Sequence, residues 1–470
     1  MVSLFLLLFL PFSSARLFHP FHHKYPPQPS LEQVPTYTEL WFPEDRDHIN
    51  RDPGSIDIRA LRLNSPYSLP SGPLIVYLGG ETPIEWAFNG LGFLTTNLSQ
   101  YWNCTVYFLE HRYYGESLPK PFTWNYLSTE QVLYDYADII MQLRPSNDTP
   151  VVVTGASYAG MLAAWMRMKY PHVVDGAIAS SAPVFMGLDN GSGYFANVTG
   201  VLNYYGCSSY VQQAFYYLSI LSNQTEYWPQ LSSLFHSCSL FQSPADLTSL
   251  NQWLTNGFAN VVQSNYPPSW PANATCQYFN VYSHTTSQSA WGWVQTLAAS
   301  MQVAYYASGT VDCFPITGDT LDYTEVWDYQ TCTELWSPMG TNNATDVFPP
   351  NPWNADAQVA YCQATYGVYP RTDWVSINYG MSPLNAQTLK YASNIMFTDG
   401  QLDPWLYGCV KSSSNPNIVV KIMQGGAHAT DFLYPTSGDT QDIRDTRTQE
   451  ISLIQTWVNS KAQSPTPTYA

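Results

Sequence analysis

Residues 150–171, PVVVTGASYAGMLAAWMRMKYP, run four β-formers, Val151 to Thr154, straight into Gly-Ala-Ser-Tyr-Ala-Gly and then at once into a helical pattern. An ordinary strand-to-helix connection uses a few polar turn residues. Here small residues crowd around one serine, Ser157. So tight a turn puts that serine at the end of a buried strand and the mouth of a helix, which is what a nucleophile elbow requires. The pattern departs from a strict G-x-S-x-G. Gly155 is in place, Ala159 holds the second glycine's position, and Gly160 comes one residue late. The competing reading is a tight turn with a helix-capping serine.

The surroundings suit an elbow. PLIVYLGG (73–80) reads as a buried strand ending in a glycine pair, and CTVYFLEHRYYGES (104–117) as another that runs into an aromatic, charged loop. Ser128 and Gln131 have capping-box spacing, opening a helix whose Val132, Tyr136, Ile139, Ile140 and Leu143 share one face. After the elbow a helix is predicted from about Tyr158 to Lys169, then a strand in VVDGAIASSAPV (173–184). Near-continuous apolar strands alternating with helices predict a parallel sheet covered on both faces. Around residue 190 the alternation stops, and the chain becomes rich in Tyr, Trp, Ser, Asn and Cys, with helix-like stretches at 210–221 and 289–307. It resumes at SNIMFTDG (393–400) and NIVVKIMQGG (417–426), before a closing helix near 446–460. The expected architecture is one α/β domain, 37–189 with 386–470, interrupted by a largely helical insertion at 190–385.

A serine nucleophile needs a base to take its proton and a carboxylate to orient that base, in the chain order Ser, Asp or Glu, His on this kind of sheet. Four histidines follow Ser157: His172, His236, His284 and His428. His172 ends the elbow helix, and the next two fall in the insertion. His428, in QGGAHAT, follows the last strand through two glycines and is the expected base. FTDGQLDPW offers two acids. Asp399 begins a turn with Gly400, where aspartate often only shapes the backbone. Asp403 sits further into the loop and is the preferred orienting acid. An oxyanion hole would use the N–H of Tyr158 and one from the Gly79-Gly80 loop.

The first fifteen residues, MVSLFLLLFLPFSSA, have the size and small-residue ending of a signal peptide, and 16–36, rich in Pro and His, read as a flexible leader. Sequons at Asn97, Asn103, Asn147, Asn190, Asn197, Asn223, Asn273 and Asn343 make this a candidate glycoprotein. The eight cysteines lack paired CxxC spacing, so disulfides are expected rather than zinc. Six lie in the insertion and two, Cys104 and Cys409, outside it, so that each part could close its own bridges. A formal charge of −17 argues against nucleic acid and anionic lipid as partners, and suits an acidic working compartment. No later stretch is long enough to span a membrane.

From about Tyr37 to Val458 the chain resembles the lysosomal Pro-X carboxypeptidase family. The resemblance rests on EHRYYGES (110–117), GASYAG (155–160), WDYQTCTE (327–334), CQATYGVYPR (362–371), INYG (377–380), DGQLDPW (399–405) and GGAH (425–428). It implies an α/β-hydrolase with a helical cap, and Ser157, Asp403 and His428 match the triad positions. Met161 and Trp405 match positions lining a proline-accepting S1 pocket. Ala156 and Ala159 stand where the family commonly has glycine, and Asp399 where it commonly has asparagine. At Ser337-Pro338-Met339 the pocket-lining pattern is shifted. The expectation is a secreted or lysosomal serine exopeptidase, carboxypeptidase or dipeptidyl peptidase, that cleaves peptides after proline or a small residue. No metal or organic cofactor is implied, and a homodimer is admitted. Glu81 and Glu85 are the acids offered for gripping a substrate amine. The rivals are an esterase or lipase on the same scaffold and a non-catalytic binding protein.

Overall fold

The computed structural model describes residues 35–50, 52–69, 71–98, 103–305, 312–316, 324–381 and 389–463. The expected signal peptide and nearly all of the expected leader lie outside them. Eight strands form one sheet: β1 (Tyr37–Asp45), β2 (Ser55–Leu63), β3 (Leu74–Leu78), β4 (Thr105–Leu109), β5 (Val151–Ala156), β6 (Gly176–Ser180), β7 (Ile395–Gly400) and β8 (Ile418–Met423). Their order is β1-β2-β4-β3-β5-β6-β7-β8, the arrangement of an α/β-hydrolase sheet. From β4 across to β8 every neighbouring pair is parallel.

Strands β3 to β7 are buried along their whole length. That explains their unbroken apolar runs, since helices cover both faces. On one face lie the helix Thr129–Leu143, with Val132, Tyr136, Ile139 and Ile140, and the elbow helix Tyr158–Lys169. On the other, Phe88 and Leu94 meet Ile454 and Trp457 of the closing helix Gln441–Gln463.

Two features differ from expectation. No strand was expected before Leu74, yet β1 and β2 pair antiparallel over nine residues each, and β2 continues antiparallel onto β4. β1 is an edge strand whose Glu39, Pro43 and Asp45 suit an exposed margin and mask its strand pattern. The insertion, in turn, is not one body. Helices Gly193–Tyr204, Ser208–Ser222, Pro244–Gln263, Pro271–Ser283 and Ala290–Tyr305 build their own apolar core with Phe348. Trp327, Leu335, Tyr379 and Met381 pack instead into the sheet's core, with Tyr379 stacked on Trp165 at 4.0 Å.

The insertion closes three disulfides, Cys207–Cys276, Cys238–Cys313 and Cys332–Cys362. The other two cysteines do not bridge, contrary to the expectation for the sheet domain; both are buried thiols. Cys104 precedes β4 and Cys409 follows β7, which places them at opposite ends of parallel strands, beyond disulfide reach.

The interior also holds several acids. Burial, then the charges of Asp135 and Asp138, push Glu44 up to about 8. Burial raises Glu110, Glu334, Asp399 and Glu450 as well. The folded chain therefore keeps protons that the unfolded chain loses above about pH 4.5. That stability is complete in acid and is lost as pH rises through the raised values. His111 acts in the opposite sense, since burial lowers it to about 4. Above about pH 6.5, however, it is neutral in both states. Melting temperature should accordingly fall by a few degrees between pH 6.5 and 8.5 in a thermal scan. A rise over that interval would contradict the account.

Candidate active site

Ser157 stands alone between the end of β5 and the first turn of the elbow helix, at φ 60° and ψ −128°. A non-glycine residue held there is strained, and the strain is fixed by its surroundings. Its N–H donates to Ser180 O at 2.9 Å, while its carbonyl accepts from Met161 N–H at 3.0 Å. A Cβ on Gly155 would lie 2.0 Å from Ala159 O, and one on Gly160 would lie 2.7 Å from Ser180 O. Both glycines are therefore required, the late one because β6 passes beside it. Ala159 is tolerated because Gly80 faces it without a side chain; a Cβ there would come 3.3 Å from that of Ala159.

The expected base and acid meet. His428 Nδ1 lies 2.9 Å from Asp403 Oδ2, and Asp403 Oδ1 accepts the Trp405 N–H at 2.9 Å. Both side chains are buried. The carboxylate fixes the proton on Nδ1 and leaves Nε2 as the basic atom. Two loops make this contact. Leu402 N–H donates to Gly426 O at 2.8 Å, and a Cβ on Gly400 would stand 2.3 Å from Ala427 O. Beyond the histidine, Ala429 N–H donates to Ser181 Oγ at 2.8 Å. Ser157, Asp403 and His428 thus follow the C-terminal ends of β5, β7 and β8. Asp399 is equally buried but contacts the Cys409 thiol. Burial and the neighbouring Asp403 hold its carboxyl well above the usual range.

Tyr158 opens the elbow helix, and its N–H is among those a helix leaves without an internal partner. Gly79 donates its N–H to Leu109 O at 2.8 Å and is not a free donor; Gly80 is the glycine against the elbow. Met161 is buried in the sheet core. Trp405 is half-buried where the sheet and cap cores meet, its indole N–H donating to Gln263 Oε1 at 3.1 Å and its ring 4.9 Å from that of Tyr194. Glu81 is half-buried within electrostatic reach of His428, with its carboxyl raised by burial. Glu85 is not available to a substrate amine, because Arg59 holds it at 2.5 Å.

Sequence reasoning missed Gln263. Its side chain holds Trp405, and its carbonyl accepts the His428 N–H at 3.4 Å, so one cap residue touches both the acid loop and the base. Among the described residues, Glu44, His48 and Asp135 offer ligand atoms within 4.8 Å of one another. Both Asp135 oxygens accept from Arg112, however, which seats a cation where a metal would need to be.

The family described as serine carboxypeptidase S28 matches residues 60–450. Human lysosomal Pro-X carboxypeptidase is 32% identical over 90% of this chain and 88% of its own length. The mouse protein of that name is 30% identical over 92% and 91%. Prolyl carboxy peptidase like protein 5 of Caenorhabditis elegans is 28% identical over 86% of each chain. With an elbow serine and a buried Asp–His pair at the strand ends, and a family match spanning most of its length, the chain belongs to the serine carboxypeptidase S28 family.

Proposed function

We propose that this serine exopeptidase cleaves after proline or a small residue through an acyl-enzyme on Ser157. The observation that carries the reading is the Asp403–His428 bond, with a strained elbow serine at the same end of the sheet. Ser157 Oγ attacks the scissile carbonyl carbon as His428 Nε2 takes its proton. The carbonyl oxygen becomes an oxyanion held by the Tyr158 N–H and one from the Gly80 loop. Collapse breaks the C–N bond, and the leaving amine takes the proton from His428. Water, deprotonated by the same nitrogen, then releases the acyl group.

Trp405 and Met161 are assigned to the S1 pocket and Glu81 to a substrate amine. The sheet domain, 37–189 with 386–470, and the cap, 190–385, belong to the same proposal, as does a lysosomal or secreted location. Three disulfides favour an oxidising compartment, and no described helix is long and apolar enough to cross a membrane. Among the sequons, Asn103, Asn147, Asn190, Asn223 and Asn343 are exposed and best suited to carry glycans. Asn97, Asn197 and Asn273 are half-buried, and Asn197 Nδ2 donates to Pro404 O in the acid loop.

A peptide library incubated between about pH 4 and 8, read by mass spectrometry beside simple esters, tests the reading. Cleavage of terminal residues after proline supports it; ester hydrolysis without peptide cleavage would overturn it. Trp405→Ala should lower kcat/KM for substrates with proline before the scissile bond by roughly 1–3 kcal/mol, and for alanine substrates by less. Equal losses would assign Trp405 to bracing its loop.

A further inference from the structure

Behind the elbow lies a buried polar network that the catalytic steps do not use. Tyr158 places its phenol in a site where His111, Tyr114, Thr129, Gln330 and Glu334 are all buried. Gln330 Nε2 donates to Tyr158 Oη at 3.1 Å, and Tyr114 Oη donates to Gln330 Oε1 at 2.6 Å. On the other side Tyr158 Oη lies 3.1 Å from His111 Nε2. His111 Nδ1 faces the carbonyl oxygen of Arg112 at 2.5 Å, and a carbonyl can only accept. Nδ1 therefore holds the proton, and burial keeps the ring neutral by lowering it to about 4. Nε2 must then accept from the Tyr158 hydroxyl. Every hydrogen in the chain Gln330, Tyr158, His111 has one direction.

These groups come from separate parts of the fold. His111 and Tyr114 follow β4, Tyr158 follows the nucleophile, and Gln330 lies on the insertion's helix Thr324–Thr333. That helix is held in place as well. Glu334 accepts the Thr129 N–H at 2.9 and 3.1 Å, at the start of helix Thr129–Leu143, and Trp327 meets the Tyr158 ring edge-on at 5.4 Å.

We propose that Gln330 and His111 are positioning residues that aim the Tyr158 N–H at the oxyanion by clamping the far end of its side chain, so that seating of helix Thr324–Thr333 sets the oxyanion hole. The inference rests on the acyl-enzyme reading above. The Tyr158 N–H has no partner inside the helix, and the peptide plane that carries it is held locally by the Met161 N–H on the Ser157 carbonyl at 3.0 Å, so the rest of its aim depends on what holds the Tyr158 side chain. A hydrogen bond weakens steeply with misalignment, and an oxyanion donor must meet an atom whose charge exists only in the transition state. A phenol fixed from both sides restricts the rotation of Tyr158 about its backbone. The cap thereby acts on the rate of reaction as well as on which substrates enter.

The test uses the full chain with Tyr158→Phe, which removes only the hydroxyl, and Gln330→Leu, which removes the amide but keeps bulk. A proline-containing chromogenic dipeptide amide and p-nitrophenyl acetate serve as substrates, and a fluorophosphonate titrates the competent serine. For both variants, kcat per titrated serine should fall roughly 10-fold or more on both substrates. KM should change by less than about twofold, because a donor felt only in the transition state leaves ground-state binding alone. An unchanged kcat per titrated serine, or a loss confined to KM or to the number of titratable sites, would overturn the proposal and leave the network as packing alone. An unsubstituted enzyme that reacts with neither substrate would overturn the peptidase reading and this proposal with it.

Discussion

Purified Ser157→Ala and His428→Ala should each lose kcat on the order of 10⁶-fold, with melting temperatures close to that of the unsubstituted chain. Each substitution removes a polar group from a site that the backbone already shapes. The turn at Ser157 is imposed by Gly155, Gly160 and the bond to Ser180, none of which needs the hydroxyl. Nucleophile and base act as one unit, so the double variant should be little slower than either single one. Substantial turnover by Ser157→Ala, freed of contaminating hydrolase, would remove the serine from the mechanism.

The second large effect separates two aspartates four residues apart. Asp403→Asn should lower kcat about 10⁴-fold, because an amide cannot both accept from Nδ1–H and stabilise the imidazolium that forms. The histidine would lose its useful tautomer while keeping its place. Asp399→Asn should cost far less, since burial disfavours the charged form of that carboxyl and an amide matches its shape. Steady-state kinetics at the pH optimum of each variant would measure both, and the reverse ranking would show that the orienting acid is Asp399.

The parts of the site that chemistry ties to local sequence were legible. The run Val151–Thr154 into small residues marked the elbow, and both partners follow strands that read as strands. Place in the loop separated the two acids, although Asp399 proves to lie inside β7, paired with Ile422, rather than opening a turn, and Asp403 lies beyond the strand's end. What stayed hidden depends on distant meetings. Gln263 reaches Trp405 across 142 residues, and Gln330 reaches Tyr158 across 172. Neither contact leaves a period or a composition in the chain. β1 was overlooked for another reason, since a charged sheet margin obscures the alternation by which a strand is recognised. The unpaired thiols of Cys104 and Cys409 were beyond reach of a count, which carries no information on which end of a strand a residue occupies.

β6 and β7 are neighbours in the sheet, and the whole insertion leaves from one and returns to the other. In the history of such a chain, material can be added to or exchanged within this excursion while each strand keeps its partners. Beside the apolar anchors Trp327, Leu335, Tyr379 and Met381 in the sheet's core, three amides tie the excursion to the site: Asn197 against the acid loop, Gln263 against Trp405 and the base, and Gln330 against the elbow. A scan of all single substitutions should therefore find the cap broadly permissive on its outer helices and abruptly intolerant at these three inward-facing amides. New substrate preferences would then arise by remodelling the space between fixed anchors, with the anchors themselves passed on unchanged.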